Sequence, residues 1–253
     1  MKITFLGTGT SQGVPVIACD CNVCISNNKK DKRLRSSILI EDKGKSIVVD
    51  TGPDFRQQML RENVQQLDAV VFTHEHKDHI AGLDDVRAFN FKHKADMEDY
   101  ATVETQTAIK REFHYAFAEN PYPGVPKLNL NTIDNSSFKI GDVKLLPINV
   151  WHHKMPVKAF RIGNFTYITD ANRIEEEELE KIRGSEIIVI NALRKSDHIS
   201  HFNLSGALEL LDKLKPKKAY LTHISHLLGE HDKVSKELPG YVEIAYDGKE
   251  III

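Results

Sequence analysis

One short stretch, from Thr73 to His79, constrains this sequence more than any other feature. Its letters, THEHKDH, give the pattern H-x-H-x-D-H, in which four strong metal-binding side chains fall within six residues. The stretch follows directly after the apolar run from Leu67 to Phe72, whose β-branched and aromatic residues are typical of a buried strand. The metal-binding side chains are therefore predicted at the point where a strand ends and a loop begins.

The spacing within this stretch predicts two neighbouring cation sites. Histidines two residues apart in extended backbone point the same way, so His74 and His76 are placed to bind one cation. Asp78 and His79 follow where the chain turns, and are placed to face a second cation. The alternative is a polar loop whose histidines are satisfied by hydrogen bonds, and four donors at this density disfavour it.

Length and composition describe an ordinary soluble protein. The chain has 253 residues, of which 41% are hydrophobic and 28% charged, and we expect a single domain over residues 1–253. No apolar run approaches the ~20 residues that cross a bilayer, and the first residues do not form an export signal. We therefore expect a cytoplasmic protein with no membrane partner. The net charge of −2 does not favour a nucleic acid partner, although it leaves room for a local basic patch.

All three cysteines lie in one cluster. Cys19, Cys21 and Cys24 form a C-x-C-x-x-C pattern, and an odd number of cysteines this close together does not suit a disulfide framework. Three thiolates at this spacing favour a tetrahedral zinc site, provided that a fourth donor comes from elsewhere in the chain. The alternative is three reduced thiols with a structural role only.

Three further metal-binding residues stand at strand ends later in the chain. His152, Asp170 and His223 each come immediately after an apolar run that predicts a strand, as His74 does. In layered α/β folds, sites form where several strand ends converge. Mixed imidazole and carboxylate ligands suit zinc, manganese or iron better than magnesium or calcium. The sequence predicts one site from His74, His76 and His152, a second site from Asp78, His79 and His223, and Asp170 as a bridge between them.

The rest of the chain reads as two runs of strands and helices, which suggests two related halves of one sandwich. Residues 79–91 have helical spacing, and they predict one continuous helix after the H-x-H-x-D-H stretch. Residues 92–135 differ in character, because polar stretches alternate with an aromatic group and a proline-rich run. We expect this segment to be an insertion that acts as a lid near the site.

The order of these residues resembles that of the metallo-β-lactamase superfamily. The shared order is an H-x-H-x-D-H motif, a later histidine, an aspartate after a strand and a final histidine, and it extends over nearly the whole chain. The resemblance implies a four-layer αββα sandwich, with two mixed sheets flanked by helices. Similar sequences read V-x-H-G-x-x-P-V, which implies His152 rather than His153 as the metal ligand.

The start of the chain resembles a narrower branch, the one that contains the phosphoribosyl cyclic phosphate phosphodiesterase of phosphonate breakdown. This resemblance lies in residues 7–15 (GTGTSQGVP) together with the three cysteines. In that branch, three cysteines hold a structural zinc with a histidine three residues after the last active-site ligand, and the matching residue here is His226. Residues 92–135 and 197–203 depart from that enzyme, which leaves the substrate open.

The resemblance implies a dinuclear metal-dependent hydrolase, with zinc or manganese in the active site and one structural zinc. We expect a phosphodiesterase that cleaves a small, cyclic or nucleotide-like phosphodiester by attack of a hydroxide that bridges the two cations. Asp78 would be essential to catalysis as a ligand, and Asp50 would orient a ligand histidine. His201, or failing that His198, is expected to protonate the leaving oxygen; the alternative is that both are surface histidines beside a helix start. The candidates for binding phosphate are Arg56, Arg87 and Arg194, with nothing to rank them.

Other functions share these ligands. A tRNA-processing endoribonuclease would carry a long basic arm, which is not evident in the sequence. A thioesterase of the glyoxalase type would add a helical domain after the last ligand, and a true β-lactamase would be exported. The alternative from a different class is a metal-binding scaffold or interaction protein without catalysis, and retention of all seven ligands disfavours it. A homodimer is compatible with the sequence.

Overall fold

Two seven-stranded sheets face each other in the computed structural model, which describes all residues from 1 to 253. Along the first sheet the strands run in the order β14-β1-β2-β3-β4-β5-β6. The pairs from β14 to β3 are antiparallel and those from β3 to β6 are parallel, so the sheet is mixed. Its strands are β1 (Lys2–Gly7), β2 (Ser37–Asp42), β3 (Lys45–Val49), β4 (Ala69–Val71), β5 (Met97–Ala101), β6 (Leu128–Thr132) and β14 (Glu250–Ile252).

The second sheet repeats this arrangement in the second half of the chain. Its order is β13-β12-β11-β10-β9-β8-β7, again with antiparallel pairs first in the sequence and parallel pairs after them. The two halves therefore present their parallel strands, and the ends of those strands, in comparable positions. Its strands are β7 (Phe138–Ile140), β8 (Val143–His152), β9 (Met155–Ile162), β10 (Phe165–Ile168), β11 (Ile187–Asn191), β12 (Lys218–Thr222) and β13 (Val242–Ile244).

Helices cover the outer face of each sheet, which confirms the predicted four-layer αββα sandwich. One core of buried side chains lies between the sheets and includes Phe5, Val49, Phe160 and Tyr167. A second core lies under the helices of the first half, and a third under those of the second half. No helix of the structure is long and apolar enough to cross a membrane. The helices are α1 (Asn22–Ile25), α2 (Phe55–Arg61), α3 (Lys77–Ile80), α4 (Arg87–His93), α5 (Val103–Glu112), α6 (Glu176–Ile182), α7 (Leu204–Leu214) and α8 (His231–Val234), with 3-10 turns at Lys29–Asp31, Leu83–Val86, His114–Phe117 and Ser235–Glu237.

Residues 92–135 contain β5 and β6, which extend the parallel part of the first sheet. β5 alternates buried with half-buried residues and β6 has no buried residue, so the composition of this segment resembles that of a polar loop. The continuous helix predicted over residues 79–91 is wrong. The chain turns at Gly82, where an added Cβ would lie 2.1 Å from the Gly52 carbonyl oxygen, and α4 begins only at Arg87.

Candidate functional site

The predicted metal-binding residues meet at one edge of the sandwich, where strands from both sheets end. β3 ends before Asp50, β10 before Asp170 and β12 before His223, and each of these three residues has a positive φ, of 66°, 55° and 54°. Non-glycine residues rarely adopt this left-handed backbone, which costs on the order of 1–3 kcal/mol and concentrates at functional sites. The strained conformation lets each side chain turn inward from the end of its strand.

Four donors form a tight group at this edge. One ligand atom from each of Asp78, His79, Asp170 and His223 lies within 4.8 Å of the others. His79 Nε2 is 3.1 Å from Asp78 Oδ2 and 3.3 Å from Asp170 Oδ2, and His223 Nδ1 is 3.2 Å from Asp170 Oδ2. Burial lowers the pKa of His223 to about 4, so its imidazole is neutral at neutral pH and has a lone pair for a metal.

Three histidines form a second group beside the first. The ring centroids of His74 and His76 are 4.6 Å apart, and that of His152 lies 5.2 Å from His76. His74 also lies 4.2 Å from His79, so the two groups adjoin. Burial holds the pKa of His74 well below its ordinary value, which leaves this imidazole neutral as well. The structure thus brings together the two ligand sets that the sequence predicts.

Hydrogen bonds fix which nitrogen of each histidine faces the centre. Thr73 Oγ1 donates a hydrogen bond to Asp50 Oδ2 at 2.8 Å, so the same oxygen accepts a hydrogen bond from His74 Nδ1 at 2.9 Å. His79 Nδ1 donates to Asp50 Oδ2 at 2.7 Å. In each case Nδ1 is held. The buried Nε2 of His74 has no hydrogen-bond partner, and that of His79 faces the carboxylates of Asp78 and Asp170. Buried polar atoms are seldom left unpaired, so the orphaned nitrogen of His74 and the mixed donor set fit divalent metal ions.

Asp50 occupies the position predicted for it, behind a ligand histidine. It is fully buried, and besides His79 it accepts a 2.8 Å hydrogen bond from the backbone N–H of Thr73. Burial raises the pKa of Asp50, although the charge of His79 and these hydrogen bonds oppose the rise. Burial lowers the pKa of His79, but the charges of Asp78, Asp170 and Asp50 outweigh it and raise this pKa well above its ordinary value. A cation that binds among these carboxylates would therefore displace a proton.

The adjacent histidines at the end of β8 have different surroundings. His152 Nδ1 donates to the Ser200 carbonyl oxygen at 2.9 Å, which leaves its Nε2 for the centre. His153 is exposed with φ of 57°, and its backbone N–H donates to Asn172. The structure brings His152, and not His153, to the other donors.

His201 lies against this centre and His198 lies behind it. His201 Nε2 is 3.1 Å from Asp170 Oδ1, and its ring stacks on His223 at 4.9 Å. His198 Nδ1 is 3.2 Å from His201 Nδ1, and the Ser200 hydroxyl is 3.0 Å from the same nitrogen. His201, Asp170 and His152 also offer three ligand atoms within 4.8 Å, so His201 is close enough to be a ligand as well as a proton donor.

The cysteine cluster lies next to the histidine named by the resemblance. The sulfur atoms of Cys19, Cys21 and Cys24 are 3.2, 3.4 and 3.4 Å from His226 Nδ1. A hydrogen bond from the backbone N–H of Cys24 is the main cause that lowers the pKa of Cys21 to about 6, while burial raises the pKa of Cys24 to about 11. Three thiol groups and one imidazole in this arrangement fit a tetrahedral zinc ion.

Two features of the site were missed at the sequence level. Thr73 links Asp50 to His74, although in the sequence it is only the residue that precedes the H-x-H-x-D-H motif. Gly52 lies so close to the ligand loop that an added Cβ would be 2.2 Å from the Asp78 carbonyl oxygen. The turn DTGPD after β3 was the available signal for this close approach.

The three candidate arginines differ in what they contact. Arg87 forms an ion pair with Asp84 at 2.8 Å, and Arg56 lies in a groove between α2 and α4. Arg194 donates to backbone carbonyl oxygens of Ser196 and Asp197, in the loop that carries His198. Of the three, Arg194 is therefore the one that belongs to the segment facing the centre.

A cavity of about 470 Å³ adjoins the ligand loop. His74 and Glu75 form one wall, and the ends of β5 and β6 with the start of β9 form the others. Lys158 lies in its wall and donates to the side-chain oxygens of Asn135 and Asn149, at 2.8 and 2.7 Å. Parts of the segment 92–135 thus border the site.

The fold and these donors define a member of the β-lactamase superfamily. Residues 45–224, well over half of the chain, match the family model described as the Beta-lactamase superfamily domain, and the chain belongs to this family. It is also similar to the crystal structure of a diphosphatase from the PhnP family, with 36% identity and a TM-score of 0.93 over 100% of this chain and 97% of that one. This similarity agrees with the narrower branch indicated by the cysteine cluster.

Other similar proteins extend this comparison. A protein of Porphyromonas gingivalis named octanoyltransferase is 38% identical over 256 residues and matches all of this chain. The chain covers 52% of that protein, and so spans about half the length of this curated relative. Zinc-bound PqqB from Methylobacterium extorquens and the short form of human tRNase Z, each 18% identical over 100% of this chain and at least 99% of theirs, share the fold with TM-scores of 0.78 and 0.72.

Proposed function

We propose that this protein is a metal-dependent phosphodiesterase that acts on a small phosphorylated substrate. The observation that carries the proposal is the convergence of two donor groups, in which the Nδ1 atoms of His74, His79 and His152 are held and their Nε2 atoms are free to face one centre. Similarity to a diphosphatase from the PhnP family supports phosphorus chemistry over the other reactions of the fold.

The residues present would hold two divalent cations, zinc or manganese. His74, His76 and His152 suit one cation, Asp78, His79 and His223 suit the other, and Asp170 lies between them. When bound, the cations would act as Lewis acids and would lower the pKa of a water molecule toward neutrality. Asp50 and Thr73 keep the ligand histidines in one tautomer and one orientation.

His201 is placed to give a proton to the leaving oxygen. Its Nε2 points at the Asp170 carboxylate, inside the centre, and its Nδ1 contacts the Ser200 hydroxyl and His198. A ring held from both sides keeps its proton at a defined position, which general acid catalysis requires. His198 is half-buried behind it and is positioned to exchange protons with solvent.

The cavity beside His74 offers polar groups to a substrate alongside apolar surface. Ten of its fourteen lining residues are not hydrophobic, and they include Lys158, Asn149 and threonines at the ends of β5 and β6. A small phosphodiester, a diphosphate or a nucleotide-like molecule offers hydroxyl and phosphoryl oxygens to such a lining. We propose such a small molecule as the partner, rather than a membrane, and the net charge of −2 does not favour a nucleic acid.

Hydrolysis of bis(p-nitrophenyl) phosphate by metal-loaded protein tests the proposal. His76→Ala, Asp78→Ala and His152→Ala should each abolish turnover, because each removes a ligand. His153→Ala is the matched control, since it removes the exposed neighbour of a ligand and should leave turnover intact. Undiminished turnover in the ligand variants would refute the assignment.

The P. gingivalis relative favours one second candidate, which is hydrolysis of a thioester in support of acyl transfer. The same centre suits either reaction, since both develop negative charge on an oxygen next to the attacked atom. The substrate would then carry an apolar acyl chain in place of a phosphoryl group. Rates on octanoyl thioesters, a diphosphate ester and a precursor tRNA, compared in one preparation, would separate the candidates.

We also propose one zinc ion at Cys19, Cys21, Cys24 and His226, separate from the active-site pair. Metal analysis of the purified protein should find it as one zinc per chain that Cys21→Ser removes. An unchanged zinc content in that variant would show that the thiols are structural only.

A further inference from the structure

The two metal-binding groups share one short piece of chain. β12 ends at Thr222, His223 belongs to the active-site group and His226 belongs to the cysteine group. Two residues, Ile224 and Ser225, separate these histidines. A displacement of one ligand along so short a connection is transmitted directly to the other.

Both separating residues are held by backbone of other segments. The backbone N–H of Ile224 donates to the Thr8 carbonyl oxygen at 2.9 Å, and its carbonyl oxygen accepts from the N–H of Thr10 at 3.1 Å. The N–H and hydroxyl of Ser225 donate to the Leu193 carbonyl oxygen at 3.0 and 2.9 Å. Residues 223–226 are therefore tied to the glycine-rich loop of residues 7–13, which leads on to the cysteines.

The conformation of His223 requires an external restraint. Its φ of 54° is a left-handed conformation that a non-glycine residue adopts only when its surroundings impose it. On the strand side the sheet supplies this restraint. On the other side it comes from the hydrogen bonds of Ile224 and Ser225 and from His226, which follows them directly. Its Nδ1 lies within 3.4 Å of all three cysteine sulfur atoms, which come from the other end of the sequence.

We propose that the cysteine site positions His223, so that occupancy of the Cys19, Cys21, Cys24 and His226 group by zinc sets the affinity of only one of the two active-site metal positions. His226 is a positioning residue in this scheme, and it touches neither substrate nor the active-site metals. Zinc in the cysteine site raises the metal affinity of the position that contains His223. It does not change the metal affinity of the position formed by His74, His76 and His152. The inference rests on the proposed metal centre, but not on the reaction that the centre catalyses.

The test measures Mn²⁺ binding to each position separately, by the electron paramagnetic resonance signal of the free ion. Manganese prefers oxygen and imidazole donors, so it reports on the active site and not on the thiolates. His152→Ala leaves the position that contains His223, and His223→Ala leaves the other. In the His152→Ala background, Cys21→Ser should weaken Mn²⁺ binding about tenfold or more, as loss of an orienting contact does in other metal sites.

Three comparisons make the result specific. In the His223→Ala background, Cys21→Ser should change Mn²⁺ binding by less than about twofold, since that position has no ligand on the shared piece of chain. Cys21→His keeps a zinc donor, and should restore both the zinc content and the affinity. If Cys21→Ser does not fold, His226→Gln removes a different zinc donor and should weaken Mn²⁺ binding in the same way.

Equal losses in both backgrounds would mean that the zinc only stabilises the whole domain, and would overturn the inference. No loss in either background, with the zinc demonstrably gone, would overturn it as well. Because the readout is metal affinity, these outcomes are independent of whether the protein hydrolyses phosphodiesters.

Discussion

Asp99 gives a prediction about stability that follows from its surroundings alone. It lies in β5, where it pairs with Val70 on one side and Leu130 on the other, and its side chain is fully buried. Neither carboxyl oxygen has a hydrogen-bond partner. Burial, followed by the charge of Glu98, raises the pKa of Asp99 well above its ordinary value, so the folded protein holds this proton to a higher pH than the unfolded chain does.

The buried carboxyl group therefore lowers the free energy of unfolding by an amount that grows with pH. In the unfolded chain the carboxyl ionises above a pH of about 4, whereas the folded protein retains the proton, so the folded state binds one proton more. The free energy of unfolding then falls as pH rises, by about 1.4 kcal/mol per pH unit, until the pH reaches the folded pKa. Asp99→Asn has nearly the same shape and no titration. It should therefore be more stable than the parent, by an amount that increases with pH.

Urea unfolding followed by circular dichroism at pH 5, 6 and 7 measures this effect. Chelator present throughout removes metal binding from the comparison. Between pH 5 and 7 the difference in unfolding free energy between Asp99→Asn and the parent should widen, by at most about 1.4 kcal/mol per pH unit. Asp96→Asn is the matched control, because it makes the same chemical change at an exposed position just before β5. Parallel stability curves for the parent and Asp99→Asn would refute the reasoning.

Two further predictions concern the support of the ligand loop. Gly52→Ala should lower stability and metal content together, because its Cβ would lie 2.2 Å from the Asp78 carbonyl oxygen, while Gly240→Ala, with no atom within 4 Å, should be neutral in thermal unfolding. Thr73→Val should weaken metal binding about 10- to 100-fold in a Mn²⁺ titration, because His74 loses the hydroxyl that fixes its ring. An unchanged titration would show that the backbone alone orients that histidine. Prolonged dialysis against chelator should lower the melting temperature, and Zn²⁺ or Mn²⁺ should restore it, since an ion that binds only the folded state stabilises it.

The sequence by itself indicated which residues are candidates to bind metal. Ligand types and spacing in H-x-H-x-D-H are local properties, and a strand that ends before a histidine or aspartate is visible in a window of a few residues. The parallel strand ends of a layered fold converge at one edge, so the separate residues His152, Asp170 and His223 were assigned to one centre without coordinates. The two-sheet sandwich followed from the same pattern of strands and from the resemblance to a family.

Only the tertiary structure decided how the centre is held. Which imidazole nitrogen faces inward depends on Asp50, Thr73 and Ser200, which come from three different segments. Membership of β5 and β6 in the first sheet is also decided by tertiary structure, because the edge strand β6 carries polar residues and local composition cannot distinguish it from a loop. The contacts of His226 with the three cysteines join residues some two hundred positions apart. Contacts at such separation arise from the packing of whole elements, and no local periodicity encodes them.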